Sequence, residues 1–401
     1  MSLPVSRRVQ RVKPSATLAV TARAARLKAE GKDVIGLGAG EPDFDTPKHI
    51  AQAGIDAIRN GFTRYTNVEG INELKDAVIA KFERDNGIHY ERSQILISSG
   101  AKQTVYNLCV SVLDPGDEAI IPAPYWVSYP DMVLLADGLP VTPFAGPGQG
   151  YKITPRQLAA SITSKTRLLL LNSPCNPTGA AYTRAELRAL GEVLLEYPRI
   201  IIGTDDMYEK IYWGAEPFCS LLTAVPELYN RTVTINGVSK AYAMTGWRLG
   251  YCGGPKDIVT AMGTVQGQST SNASSISQKA AVAALDGDQS CVTEMNRAFK
   301  ERHDFIVRGL NSLPGVSCVP GAGTFYAFAD VSKAIVASGC RDDGEFTELL
   351  LERAGVAVVP GGPFGAPGHI RLSFACSMQT LEKALQRLHS VLTGAVVAKT
   401  A

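Results

Sequence analysis

Six short, mainly aliphatic runs constrain what this chain can fold into. They are Ile95–Ile97, Ala119–Ile121, Leu168–Leu171, Ile200–Ile202, Thr232–Ile235 and Leu249–Cys252. Each is strand-length and too continuously apolar for a sheet with one wet face, so each reads as a strand covered on both faces by helices. Helical patterns surround them. Ser15–Glu30 has Ser15 as a candidate N-cap and Gly31 just past its end. Glu69–Asn86 carries Ile71, Leu74, Val78 and Phe82 at helical spacing and stops at Gly87. Thr183–Glu196 and Met378–Thr393 follow the same pattern. The alternation predicts an α/β protein with a mixed or parallel sheet, whose ligands collect beyond the carboxyl ends of the strands.

Composition narrows the function classes. The 401 residues are enough for about two or three domains. Forty Lys+Arg against 38 Asp+Glu leave a charge of +2, too balanced for nucleic-acid or membrane-surface binding through bulk electrostatics. The longest purely aliphatic runs, such as Leu168–Leu171, fall far short of the ~20 residues that span a bilayer. Residues 1–17 are basic but lack an apolar core, so no secretory leader is expected. The eight cysteines are scattered without a C-x-x-C pair, and the five histidines form no H-E-x-x-H. Reduced thiols, a cytoplasmic location and no metal site are the expectation.

The chemistry-bearing residues follow the runs. After Ile97 comes Ser98-Ser99-Gly100-Ala101-Lys102, a small-residue turn that opens a helix and suits a phosphate, although an ordinary strand–helix turn would read the same. After Ile121 two prolines stiffen a loop that presents Tyr125 and Trp126, either of which could stack on a flat ligand or serve as packing. After Leu171, Asn176-Pro177-Thr178-Gly179 gives the Asn176 amide a rigid mount, or is a structural turn. After Ile202, Asp205 and Asp206 end a buried strand with Tyr208 close behind. One acid needs a cationic partner unless it is a solvated helix cap. After Ile235, Lys240 and Arg248 are the only charges in a small and aromatic stretch. A desolvated lysine there becomes a nucleophile for carbonyls, and an arginine can neutralise a phosphate. Near the C-terminus, Arg371 lies between apolar neighbours and requires an anion, either a protein carboxylate or a substrate's.

Gly36-Leu37-Gly38-Ala39-Gly40 hints at a dinucleotide fingerprint. The Glu41-Pro42-Asp43-Phe44-Asp45-Thr46-Pro47 that follows denies a pyrophosphate its helix N-terminus. There is no G-x-S-x-G and no P-loop, which leaves serine-hydrolase and NTPase readings unsupported.

Together these residues resemble class I (fold type I) pyridoxal-phosphate-dependent aminotransferases, and within them the bacterial aspartate aminotransferase branch, some of whose members accept prephenate. The likeness runs through Lys13–Thr17, Gly38–Pro47, Tyr125–Pro130, Asn176–Gly179 and, most specifically, Ser239–Gly250. It implies a large domain at 49–290 with a mainly parallel mixed sheet between helices. It also implies a smaller α/β domain from both chain ends, 1–48 and 291–401. By motif, Lys240 resembles the lysine that forms the Schiff base with pyridoxal 5'-phosphate and shuttles the proton. Asp205 matches the acid at the pyridine nitrogen, Tyr208 the phenol beside O3′, and Asn176 the amide shared between O3′ and the substrate carboxylate. Trp126 resembles the stacking ring. Arg248, Ser239 and the Gly100-Ala101-Lys102 turn resemble the phosphate site. Arg371, assisted by the Gly40 backbone, resembles the α-carboxylate clamp. Tyr65 resembles the tyrosine that crosses a homodimer interface to the partner's phosphate. Three positions depart from the family: Gly237 stands where a hydroxyl is common, Asp206 where Glu is, and Cys175 where Asn is.

The resemblance implies transamination between an L-amino acid, with aspartate expected, and a 2-oxo acid such as 2-oxoglutarate. Lys102, with Gln268-Ser269-Thr270 of a neighbouring subunit, and Lys13 are the candidates for a distal carboxylate, Lys13 especially for prephenate. Aromatic or arginine preference, a C–S β-lyase on a similar scaffold, and a sensor domain of a transcription regulator are the competing readings.

Overall fold

The computed structural model describes residues 5–394, so residues 1–4 of the basic N-terminal stretch lie outside the described region. Seven strands form the main sheet: β1 (Ile95–Ser98), β2 (Glu118–Ile120), β3 (Leu139–Val141), β4 (Thr166–Asn172), β5 (Ile201–Asp205), β6 (Thr232–Gly237) and β7 (Gly250–Gly253). Their spatial order is β1-β7-β6-β5-β4-β2-β3. The β2–β6 ladders are parallel, and β7 runs antiparallel to both its neighbours.

The leucine run explains why the sheet is buried twice. Leu168 and Leu170 enter one hydrophobic cluster, while Leu169 and Leu171 enter another. Alternate side chains on a strand face opposite sides, so both faces are dry. Burying each such leucine stabilises by about 1.5–3 kcal/mol. The helix Ala101–Val112 covers one face, touching β1, β4, β5, β6 and β7.

Two local readings shift. The helix expected from Glu69 begins only at Asn72, because Gly70 has φ +105° and Ile71 is extended. A Cβ on Gly70 would lie 2.3 Å from Ile97, so this turn packs too closely on β1 for any other residue. The strand β3 was not among the six runs. It carries Pro140 and an exposed Leu139 at the sheet edge, where the continuous apolar signature is lost.

A second, antiparallel sheet orders Val359–Pro360, His369–Ser373, Tyr326–Asp330 and Ser317–Cys318. The short strand Ile35–Gly36 pairs in parallel with Val356–Ala357, tying the N-terminal segment to the C-terminal one. The helix Lys48–Arg59 packs on Ser275–Asp286, whereas Ser290–Asn311 packs on Tyr326–Asp330 and Met378–Thr393. This packing supports the division at 48/49 and 290/291, which we propose as the domain boundary. Among the described residues no helix is long and apolar enough to cross a membrane.

Candidate active site

The carboxyl ends of β2, β4, β5 and β6 open on one cavity of about 370 Å³. Lys240, Asp205, Tyr208, Asn176, Trp126 and Arg371 line it. Gly40, Ala101, Lys102, Ser239 and Arg248 complete the set brought together from the expected site. Residues up to about 330 positions apart thus meet where ligands gather in sheets of this kind.

Lys240 follows β6, and its Nζ donates to the Gly40 carbonyl at 2.6 Å. Its stem is partly open to the cavity, but the amine is enclosed, and burial lowers its pKa to about 8; Glu41 and Asp205 oppose the shift, while Arg248 and Arg371 add to it. A substantial neutral fraction near that pH makes the amine a competent nucleophile.

Asp205 ends β5. Its Oδ2 accepts from Tyr129 Oη at 2.6 Å and its Oδ1 from the Met207 amide at 3.2 Å. Among the described residues no cation pairs with it directly, and burial raises its pKa against these two hydrogen bonds and the more distant Lys240 charge. An enclosed anion braced only by neutral donors is suited to a cationic ligand atom. Asn172 braces the same corner, donating from Nδ2 to the Asp205 carbonyl at 2.8 Å while its Oδ1 accepts from the Asn176 amide at 2.8 Å. Asp206 is not a solvated cap. It is buried, Thr204 Oγ1 donates to it at 2.8 Å, and burial with the neighbouring Glu209 lifts its pKa to about 7.

Arg371 is 1% exposed and has no acid partner among the described residues. It donates to Asn176 Oδ1 at 3.0 Å and to the Gly38 carbonyl at 2.8 Å, and its Nε has no partner. Of the two anions considered from sequence, the protein carboxylate is thereby removed. Asn176 spends its oxygen on Arg371, so only its NH2 remains for a ligand. Tyr208 Oη lies 3.1 Å from Tyr326 Oη.

The turn after β1 is shaped as a cradle. Gly100 has φ +88°, and a Cβ there would sit 2.5 Å from Arg248 Nη2. The Ala101 and Lys102 amides have no hydrogen-bond partner within the described chain. Two free amides beside a guanidinium at a helix start fit a phosphate. Gly237 has a structural cause as well: a Cβ would lie 3.0 Å from Met207 Cε and 3.1 Å from the Gly250 Cα and the Leu249 carbonyl. Cys175 is buried, donates weakly to the Pro124 carbonyl, and has its thiol pKa pushed up to about 11 by burial, so it is inert. A cradle, an acid held only by neutral donors, an enclosed amine and an arginine without an acid partner among the described residues together fit pyridoxal phosphate and an amino acid.

Trp126 meets Tyr129 edge-on at 5.2 Å, and the Lys102 ammonium lies 5.0 Å from the Trp126 ring. Three expected contributors stand apart from this cavity. Tyr65 is 92% exposed. Lys13 approaches Asp131 through its backbone amide at 3.5 Å. Gln268, Ser269 and Thr270 are exposed, with Thr270 accepting from Gln103 at 2.5 Å. Sequence reasoning missed Tyr129, Tyr326 and Thr245, which also line the cavity. Tyr129 was within reach, since it lies three residues after Trp126 on the helix Ser128–Leu135. Tyr326 had no local signal.

Residues 32–388 match the family model for aminotransferase class I and II. The chain is 55% identical to the aspartate/prephenate aminotransferase of Nitrosomonas europaea, covering 98% of this chain and 100% of that protein. It is 49% identical to the aspartate aminotransferase of Geobacillus stearothermophilus, covering 96% and 98%. The solved aspartate aminotransferase from Rhizobium meliloti superposes with a TM-score of 0.93 at 46% identity, covering 98% of this chain and 99% of that one. The Thermus thermophilus aspartate aminotransferase with maleate superposes at 0.92 and 41% identity, covering 97% and 100%. The sheet order, the convergence at its strand ends and these likenesses lead to one assignment: the chain belongs to the class I and II aminotransferases and is a pyridoxal-phosphate-dependent enzyme of that family.

Proposed function

We propose that the chain transaminates a dicarboxylic L-amino acid, aspartate, with 2-oxoglutarate as acceptor, and that Lys240 is the residue to which the cofactor is joined. One observation carries the reading: an arginine buried without an acid partner among the described residues faces the same cavity as a desolvated lysine and an aspartate held only by neutral donors. Bound there, pyridoxal phosphate supplies a reactive aldehyde and a ring that withdraws electrons from the substrate's Cα.

The chain's own residues do the rest. Arg248 and the Ala101 and Lys102 amides would hold the phosphate, Asp205 a proton on the pyridine nitrogen, and Tyr208 with the Asn176 amide the ring oxygen. Arg371 binds the α-carboxylate with its planar fork and orients the Cα–H bond. The Lys240 amine, facing the cavity, would remove the Cα proton as a general base, a role worth ~10²–10⁴ in rate.

The names of the relatives above support aspartate, and the four-carbon dicarboxylate in the Thermus structure's name supports a site for two carboxylates. Lys102, held against Trp126, is the cation proposed for the distal one, and Lys13 is the position to vary for prephenate. The exposure of Tyr65 supports a homodimer with shared sites, in which this tyrosine completes the partner's phosphate cradle. Eight free thiols support a cytoplasmic location.

Borohydride reduction of the cofactor-loaded protein followed by peptide mapping should place the label on Lys240; a label elsewhere overturns the assignment. Mixing the loaded protein with single amino acids and following the visible spectrum ranks the donors. Aspartate and glutamate should convert it at far lower concentration than neutral amino acids.

A further inference from the structure

Tyr326 opens the strand Tyr326–Asp330, which pairs antiparallel with His369–Ser373. In that register Tyr326 faces Ser373 and Phe328 faces Arg371, so Tyr326 and Arg371 are diagonal neighbours on one face of the sheet. The guanidinium carbon of Arg371 lies 4.3 Å from the Tyr326 ring centroid and 5.1 Å from that of Phe364. The fork is therefore held between two aromatic faces rather than by an acid.

The other end of the same side chain reaches across to the main sheet's site. Tyr326 is 2% exposed, and its hydroxyl is 3.1 Å from that of Tyr208. It also packs on Gly40, where a Cβ would sit 3.0 Å from Tyr326 Oη. The Gly40 carbonyl is the acceptor for Lys240 Nζ. One buried side chain thus touches Arg371, Tyr208 and the loop that holds Lys240.

We propose that Tyr326 is a positioning residue that locks the substrate-carboxylate arginine and the cofactor-side phenol into one register, its ring orienting Arg371 and its hydroxyl orienting Tyr208. This rests on the reading of Arg371 and Tyr208 given above. The two ends are separable. A cation over an aromatic face in a desolvated site is held by the ring quadrupole, which phenylalanine retains. With the Tyr326 hydroxyl donating to Tyr208 Oη, the arrangement this role requires, the Tyr208 proton is left for the ligand, which phenylalanine cannot impose. With Tyr208 a poorer donor, more negative charge stays on the cofactor oxygen, and a proton on the adjoining Lys240 nitrogen is held more tightly.

The test uses the cofactor-loaded protein and its Tyr326→Phe and Tyr326→Leu variants, each mapped with borohydride. The readouts are the pH titration of the bound chromophore and the binding of maleate followed by its spectral change. In Tyr326→Phe the titration midpoint should rise by about half a unit or more, with maleate affinity within about threefold of the parent. In Tyr326→Leu maleate affinity should fall about tenfold or more. A side chain that merely fills space would shift neither readout selectively. An unchanged midpoint in the phenylalanine variant, in protein labelled at Lys240, overturns the proposal and leaves the proposed function standing. Parent protein that carries no label at Lys240 removes both.

Discussion

Two regions of this molecule bury charge, and they do it in opposite ways. Behind the main sheet, Lys81 pairs with Glu209, and Asn86 closes the set by accepting from Lys81 at 2.7 Å and donating to Glu209 at 3.0 Å. All three residues are at most 7% exposed. In the cavity, Lys240, Asp205 and Arg371 lie close enough to share one ligand. Yet each leans on neutral groups: a carbonyl, a phenol and backbone amide, an amide oxygen and a second carbonyl. The first arrangement is complete within the chain. The second is complete only with a ligand that brings a carbonyl carbon, a cationic nitrogen and a carboxylate. Burial alone does not mark a functional charge; burial without an internal counter-charge does.

The largest effect expected separates the two regions by removing a cavity charge. Lys240→Ala should lower turnover by about 10⁴-fold or more and abolish the borohydride label. It should leave the melting temperature nearly unchanged, because only one hydrogen bond to a carbonyl is lost. A large drop in stability would mean that the cavity charges are structural after all. Next comes the closed pair. Lys81→Met strands a buried carboxylate and should cost about 3–5 kcal/mol of stability by denaturant titration. Adding Glu209→Leu should recover most of that, since the penalty belongs to the unpaired charge. A third change tests the ligand side. Arg371→Lys keeps the charge and loses the fork, so amino-acid affinity should fall by about 2 kcal/mol, roughly thirtyfold. Cofactor affinity should stay within a fewfold of the parent. Equal losses in both would place Arg371 in the cofactor site instead.

The contrast also marks what the sequence made legible. Strand ends in a doubly covered sheet are where ligands bind, so Asp205, Asn176 and Lys240 could be found by reading outward from Leu168–Leu171 and its neighbours. Arg371 was legible as a charge between apolar neighbours, but its missing counter-ion was not. Only the fold shows that, among the described residues, no carboxylate pairs with it. The pairings of Tyr129 and Tyr326 were hidden for a related reason, although Tyr129's place beside Trp126 was within reach. Tyr129 acts through a hydrogen bond to a residue 76 positions away and Tyr326 through one 118 away. No local pattern records either pairing. The late start at Asn72 was lost because the constraint is a long-range one, Gly70 packed on Ile97. The edge strand at Leu139 was lost because it is only three residues long and carries Pro140, which reads as a strand breaker.

The smallest effect sharpens the comparison through pH. The pKa of Lys240 is lowered to about 8 because its amine is desolvated and Arg248 and Arg371 repel its charge, more than Glu41 and Asp205 restore. Below that value the amine is increasingly an ammonium and cannot attack a carbonyl; above it the nucleophilic form is fully present. The rate at which cofactor-free protein captures pyridoxal phosphate covalently should therefore fall about tenfold per pH unit below 8 and level off above it. Stopped-flow absorbance across pH 6 to 9 reads this directly. Were Lys240 paired with a carboxylate, the break would lie higher and the rate would still be rising at pH 9. A break near pH 8 is thus the kinetic signature of a buried charge left open for its ligand.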